Sequence, residues 1–351
     1  MPEPASGSRP TLEAVAARAG VSRATVSRVV NGGAGVRRPL ADKVRRAVEE
    51  LGYIPNQAAR TLVTRRTGAV AVIIAEPEFR VFSDPFFEKQ VRGISRELTA
   101  HDAQLVLLWV EGPGDHERIG RYLGGGHVDG ALAFSVHNDD ALPSVIRRAH
   151  VPTVFGGRPG WPGAGAPGAP AVPYVDADNR GGARAAVRHL LSLGRERVAH
   201  IAGPPDQTSA MDRLDGYRDV LLDADPGLIA QGDFTERSGA RAMAELLERR
   251  PGLDAVFTAN DLMASGALRV LRERGLRVPE DVALVGFDDM TSIAEATDPP
   301  LTTVRQDIEG MGRLMVRLLM RVLGGQEAEP GAGGAPGSVI TPTELVRRAS
   351  A

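Results

Sequence analysis

Hydrophobic positions recur along this chain with two different rhythms. In the first fifty residues they fall at helical spacing in short runs. Leu12, Val15, Ala16 and Ala19 share one face of a helix that Thr11 would cap. Val26, Val29 and Val30 stand at i, i+3 and i+4 and make the single apolar stripe of a second helix. Ser22 is its expected N-cap, Asn31-Gly32-Gly33 its stop, and Gly20 the left-handed residue that turns the chain between the two. A third helix, Pro39 to Leu51, would turn Leu40, Val44, Ala47, Val48 and Leu51 inward. Beyond residue 67 the rhythm changes to near-continuous apolar runs separated by amphipathic stretches. Ala69–Ala75 reads as a strand buried on both faces of a parallel sheet. Phe86–Ala100 is the helix after it. Further strands are expected at Gln104–Val110, Gly130–Phe134 and Val151–Phe155. A second series starts at Pro173-Tyr174-Val175-Asp176 and continues near Val198–Ala202, Leu228–Phe234, Ala255–Thr258 and Val282–Phe287.

The fold class that follows is a small all-α helix-turn-helix domain ahead of a two-lobed α/β core built on two doubly wound parallel sheets. The second helix spends most of its surface on Ser22, Arg23, Ala24, Thr25, Ser27 and Arg28. A buried helix has no use for that composition. A helix lying in a DNA major groove does, with arginine for base edges and hydroxyls for phosphates. Two segments fit neither series. Pro159–Ala171 is a Gly/Pro/Ala loop expected between the lobes, with Trp161 at its surface tip, and Gly324–Gly337 is a linker before a last extended piece, Ser338–Arg347.

Charge separates the two parts further. Residues 1–66 carry twelve Lys/Arg against five Asp/Glu, a net of +7, whereas the whole chain is −2. A basic head on an acidic body is the footprint of a nucleic-acid-binding module. Cysteine is absent from the sequence, which excludes disulfides and thiolate metal sites. The histidines are scattered, so neither metal nor cofactor is expected. With no long apolar run and no apolar leader after Met1, a cytoplasmic protein is expected, nucleoid-associated when on DNA.

Three motifs in order, Thr25-Val26-Ser27-Arg28-Val29-Val30-Asn31, Glu50-Leu51-Gly52-Tyr53-Ile54-Pro55-Asn56 and Ala59-Arg60-x-Leu62, make residues 11–67 resemble the headpiece of the LacI/GalR family of bacterial repressors. The body resembles the ligand-binding core of that family, similar in turn to periplasmic sugar-binding proteins. The resemblance implies a disordered start (1–10), a headpiece (11–52), a hinge (53–66) and an effector-binding core (67–351). The first lobe would comprise about 67–172 and 307–323, and the second about 173–304 and 338–347, with a third crossing near Val304–Ile308. It implies DNA contact by Thr11, Ser22, Arg23, Ala24, Thr25, Ser27, Arg28, Asn31, Tyr53, Asn56 and Ala59, with Leu62 wedged into the minor groove at the dyad. Arg37 and Ala41 depart from the pattern, standing where relatives often carry a hydroxyl cap and an arginine.

Ligands of open α/β sheets bind beyond the carboxyl ends of the strands. Arg213, Phe234, Asn260, Asp288 and Gln306 match effector-contacting positions of the family, and Phe82, Asp84 and Phe86 flank the expected cleft in the first lobe. Arginine and aspartate grip vicinal hydroxyls, and a flat aromatic stacks on a sugar ring. Asp261 and Asp289 read as capping and packing residues, and Phe87 as core. Gly157 replaces an aspartate of some relatives. The implied protein is a homodimeric repressor of a palindromic operator, released by a mono- or oligosaccharide. A purine-type corepressor is the alternative. A carbohydrate-acting enzyme using Asp84 and Asp288 is the rival from another class, and no nucleophile elbow, phosphate loop or metal-spaced histidine pair supports it.

Overall fold

The computed structural model describes residues 10–30, 35–54, 66–164, 166, 171–325 and 337–351. Contacts divide the chain into Met1–Thr67 and Gly68–Ala351. The first unit contains α1 (Leu12–Ala19), α2 (Arg23–Val30) and α3 (Arg38–Leu51). Thr11 caps α1 through the Ala14 N–H at 3.2 Å, and Gly20 closes it at φ +65° with its N–H turned back on Ala16 and Ala17. The Ser22 hydroxyl accepts from the Thr25 N–H at 3.2 Å and so opens α2. Arg37 precedes α3 without a side-chain cap, and Pro39 stands in the first turn. Val15, Val26 and Val44 are fully buried where the three helices meet, with Ala16, Ala19 and Ala47 around them. Tyr53 belongs to this core as well. At 8% exposed it packs against all three helices. Asn31, Asn56, Ala59 and Leu62 lie outside the described residues.

The second unit begins with β1 (Ala69–Ile74), α4 (Glu78–Ser83), α5 (Pro85–Ala100), β2 (Gln104–Trp109), α6 (Pro113–Gly124), β3 (Gly130–Phe134), α7 (Leu142–Ala149), β4 (Thr153–Gly156) and β5 (Tyr174–Ala177). It continues with α8 (Asn179–Ser192), β6 (Val198–Ala202), α9 (Thr208–Val220), β7 (Ile229–Gln231), α10 (Glu236–Arg249), β8 (Ala255–Thr258) and α11 (Asp261–Glu273). The remaining elements are β9 (Ala283–Asp288), α12 (Thr291–Ala294), β10 (Thr302–Gln306), α13 (Ile308–Leu323), β11 (Ser338–Thr341) and β12 (Thr343–Val346). One sheet has the order β11-β5-β4-β3-β1-β2 and the other β12-β10-β9-β8-β6-β7. Pairing is parallel throughout except between β10 and β12. Such sheets need both faces covered, and each lobe supplies two apolar layers, one on either side.

Two expectations about the lobes are corrected. The strand at Tyr174–Ala177, expected in the second lobe, pairs with β4 and β11 in the first. The Gly/Pro loop is therefore an insertion between neighbouring strands of one sheet, and the chain crosses only after Ala177. The last extended piece is not one strand of the second lobe: it is cut at Pro342, with β11 in the first sheet and β12 in the second. β10 ends at Gln306 in the second sheet, and α13 packs along α5 in the first lobe. Gly93 and Gly312 permit that close approach, since a Cβ at Gly93 would strike the Glu309 carbonyl.

Candidate functional site

The carboxyl ends of both sheets face a cleft of about 880 Å³ counted out to its open mouth. Arg213, at the second turn of α9, forms part of its wall and is 4% exposed. Its Nε donates to Asn179 Oδ1 at 2.9 Å, and its Nη1 donates to the Ala259 carbonyl and stands 3.4 Å from Asp288 Oδ1. The guanidinium carbon lies 3.7 Å from the Phe287 ring centre, so the cation is held flat on an aromatic face. Asp288 closes β9, and its Oδ1 accepts from Gln306 Nε2 at 2.6 Å. Burial pushes the Asp288 carboxyl up to about 7 despite the neighbouring Arg213.

Across the cleft, Asp84 caps α5 through the Phe86 N–H at 2.9 Å, and burial raises its carboxyl too. Asp176 ends β5 in the same wall, and burial pushes it up to about 6. It accepts from the Arg158 and Ala177 N–H groups and from Asn179 Nδ2. Three strand-end residues in the lining hold left-handed backbone without being glycine: Ser135 (φ +57°), Phe234 (φ +67°) and Asp288 (φ +105°). Such conformations cost about 1–3 kcal/mol each and persist where the surrounding structure imposes them, often at ligand sites.

The lobes also touch directly. Gln207 Nε2, in the second lobe, lies 2.7 Å from Glu76 Oε1 and 2.9 Å from His137 Nε2 in the first. His137 Nδ1 lies 2.7 Å from Asp206 Oδ2, and the Glu76 hydrogen bond, ahead of Asp206, holds this imidazole up at about 9. Arg158 reaches over from the first lobe to donate to both oxygens of Asp212.

Seven of the eight expected effector residues line this cleft: Asp84, Phe86, Arg213, Phe234, Asn260, Asp288 and Gln306. Phe82 does not. It sits 72% exposed on α4, its ring 6.0 Å from that of Trp109, because the short helix turns it outward. Asn260 is committed twice over, capping α11 through the Met263 N–H and donating to the Phe234 carbonyl. Asp261 and Asp289 pack as expected, Asp261 accepting from Thr303 and the Met290 N–H, Asp289 from Arg305. Trp161, expected at a surface loop tip, instead lines the cleft with its ring centre 4.8 Å from that of Phe155. Asp176, Asn179, Gln207 and Arg158 were missed. The only sequence signal for them was position just after a strand or at a helix start.

On the headpiece, Ser22, Arg23, Ala24 and Arg28 are exposed on α2, whereas Thr25 and Ser27 are half-buried. Arg23 Nε lies 3.2 Å from Glu13 Oε1, with both side chains open to solvent. Thr11 is exposed at the start of α1. This surface carries arginine and small polar groups on one helix face, as groove entry requires.

Residues 11–56 match the model of "Bacterial regulatory proteins, lacI family", and residues 187–351 match a periplasmic binding protein-like domain. The HTH-type transcriptional regulator CelR of Thermobifida fusca is 51% identical over 92% of this chain and 94% of its own length. The chain belongs to the lacI family of bacterial regulatory proteins. The ribose operon repressor of Escherichia coli K12 is 34% identical over 88% of this chain and 92% of its own. Among solved structures, a CelR–cellobiose complex matches at TM-score 0.74 and 46% identity, covering 98% of this chain and all 100% of that one. A lac repressor dimer bound to operator matches at TM-score 0.81 and 29% identity over 98% and 99%. Membership of this family makes the protein a transcriptional regulator and sets the enzyme reading of Asp84 and Asp288 aside. Among the described residues, no helix is long and apolar enough to cross a membrane, and no cluster of His, Asp or Glu is placed to hold a metal ion.

Proposed function

We propose that this regulator is a dimeric repressor that binds a palindromic operator through α2 and is released by a short β-linked glucose oligosaccharide, cellobiose first among them. The observation that supports this reading is the lining of the cleft. Carboxylates and a buried guanidinium line the wall together with aromatic side chains, the combination that grips ring hydroxyls at their edges and ring faces by stacking. The 51% identity to CelR, and the cellobiose in the structure bearing that name, point to the same ligand class. The hinge reading, with Asn56 and Ala59 at DNA and Leu62 in the minor groove, is carried by the sequence motif.

An effector releases DNA only if it binds one state of the dimer more tightly than the other. The cleft therefore has to close on sugar in a form that disfavours the DNA-bound arrangement. Fluorescence anisotropy on labelled operator, titrated with cellobiose, glucose, ribose and hypoxanthine, tests this directly. Release by cellobiose at the lowest concentration is expected. Tightening by a purine, or release by ribose alone, would overturn the assignment.

A further inference from the structure

The two lobes oppose each other at separate stations along the cleft. At one, the start of α5 faces the end of β9: Asp84 and Asp288 both line the wall, and Lys89 Nζ lies 3.5 Å from the Asp289 carbonyl. At the other, the loop after β4 meets the start of α9. There Arg158 holds Asp212 through paired hydrogen bonds, and the Thr208 hydroxyl donates to the Arg158 carbonyl at 2.7 Å. The first station is polar. The second adds two aromatic rings, with Phe155 and Trp161 in the wall next to Gly156, Gly157 and Arg158.

Trp161 is held at that station by more than its own ring contact. Gly160, immediately before it, is wedged between Asn138 of the first lobe and Thr208 of the second, and a Cβ there would collide with both. The loop bends at Gly157, φ +97°, a value that glycine adopts without strain. The indole is only half-buried, so one part packs on Phe155 while the rest faces the cleft.

Building on the proposed sugar response, we infer that Trp161, backed by Phe155, is the platform for the second ring of a two-ring sugar and selects disaccharide over monosaccharide. A β-linked glucose ring carries axial C–H groups on both faces, which gives it flat apolar sides that an indole covers well. Its hydroxyls lie at the rim, where carboxylates and guanidinium groups reach them. A single ring satisfies the polar station and leaves the aromatic one empty. The Arg158–Asp212 and Gly160 contacts fix the platform only when the lobes meet, so the second ring is gripped by the closed cleft.

The test uses the full-length protein and calorimetric titration with cellobiose and with glucose. Trp161→Ala is expected to weaken cellobiose binding roughly tenfold and to leave glucose binding unchanged, and Trp161→Phe to stay within about threefold of wild type. The chain has 2 tryptophans, so Trp109→Phe leaves Trp161 as sole reporter. In that variant the emission should move with cellobiose and stay still with glucose. Equal losses on both sugars, wild-type cellobiose affinity in Trp161→Ala, or a silent indole would each overturn the platform while leaving the sugar response intact. A wild-type protein that binds neither sugar would overturn the proposed function and the platform together.

Discussion

Arg213 and Asp288 form an ion pair at 3.4 Å in which each side chain is less than a tenth exposed. Neither depends on the other alone, since Arg213 also donates to Asn179 and Asp288 accepts from Gln306. Removing Arg213 takes the neighbouring cation from a buried carboxyl that keeps only its Gln306 hydrogen bond, and breaking a buried pair in this way is strongly destabilising. Arg213→Ala should therefore cost about 3–5 kcal/mol of stability, read as a lowered Tm, besides losing the effector response. Asp288→Asn keeps the shape and should lose the response while the sugar-free protein still binds operator normally. Operator release by sugar at wild-type concentrations in both variants would move the site elsewhere.

Asp288 also makes effector binding depend on pH. Its carboxyl titrates at about 7 in the folded protein, raised chiefly by burial. Between roughly pH 4, the ordinary carboxylate value, and 7 the folded state holds a proton that the unfolded state has released. The contribution of this group to stability accordingly falls as pH rises through that window. Sugar hydroxyls donate to the ionised form, so sugar affinity should rise from pH 5.5 to 8 by about tenfold, and Asp288→Asn should flatten the profile. Calorimetry across that range, in buffers of different ionisation enthalpy, would also count the proton released on binding.

His137 shifts stability in the same direction but over a higher pH window. Glu76, ahead of Asp206, raises it to about 9, so its ion pairs contribute fully below the unfolded value near 6.5 and are lost as pH climbs through 9. Melting temperature should fall as pH rises from about 6.5 through about 9, and His137→Gln should remove most of that fall. An unchanged slope in the variant would mean that the contact between Asp206 and His137 does not help hold the lobes together.

The headpiece prediction concerns Arg23, exposed on α2 and paired with Glu13 across solvent. A guanidinium fits guanine O6 and N7, so Arg23→Ala should cost ~1–3 kcal/mol and relax the preference at one G·C pair of each half-site. Gel-shift titrations over a set of single-base operator variants would show it. A uniform loss across the set would reassign Arg23 to phosphate contact.

Much of this was legible in the sequence because the deciding signals are local. A helix start needs only a hydroxyl at the right offset, as at Thr11 and Ser22, and a doubly buried strand shows as an unbroken apolar run, as at Ala69–Ile74. Strand ends were local too, and Arg213, Asp288 and Gln306 lie where the strand-end rule and the family match placed them.

What the tertiary structure alone decided are relations between distant residues. Periodicity reports that Tyr174–Ala177 is buried, but its sheet is chosen by the register of its backbone hydrogen bonds with β4 and β11. Phe82 and Phe86 are equally apolar on paper, and the break between α4 and α5 sends one to solvent and the other into the cleft. Tyr53 fills the headpiece core because three helices leave a space of its size there. Trp161 sits in a stretch of glycine and proline that carries no pattern of its own. Its place in the wall is set by Phe155 beneath it and by Asn138 and Thr208 pressing on Gly160 from opposite lobes, contacts that exist only once the chain has crossed between its two sheets.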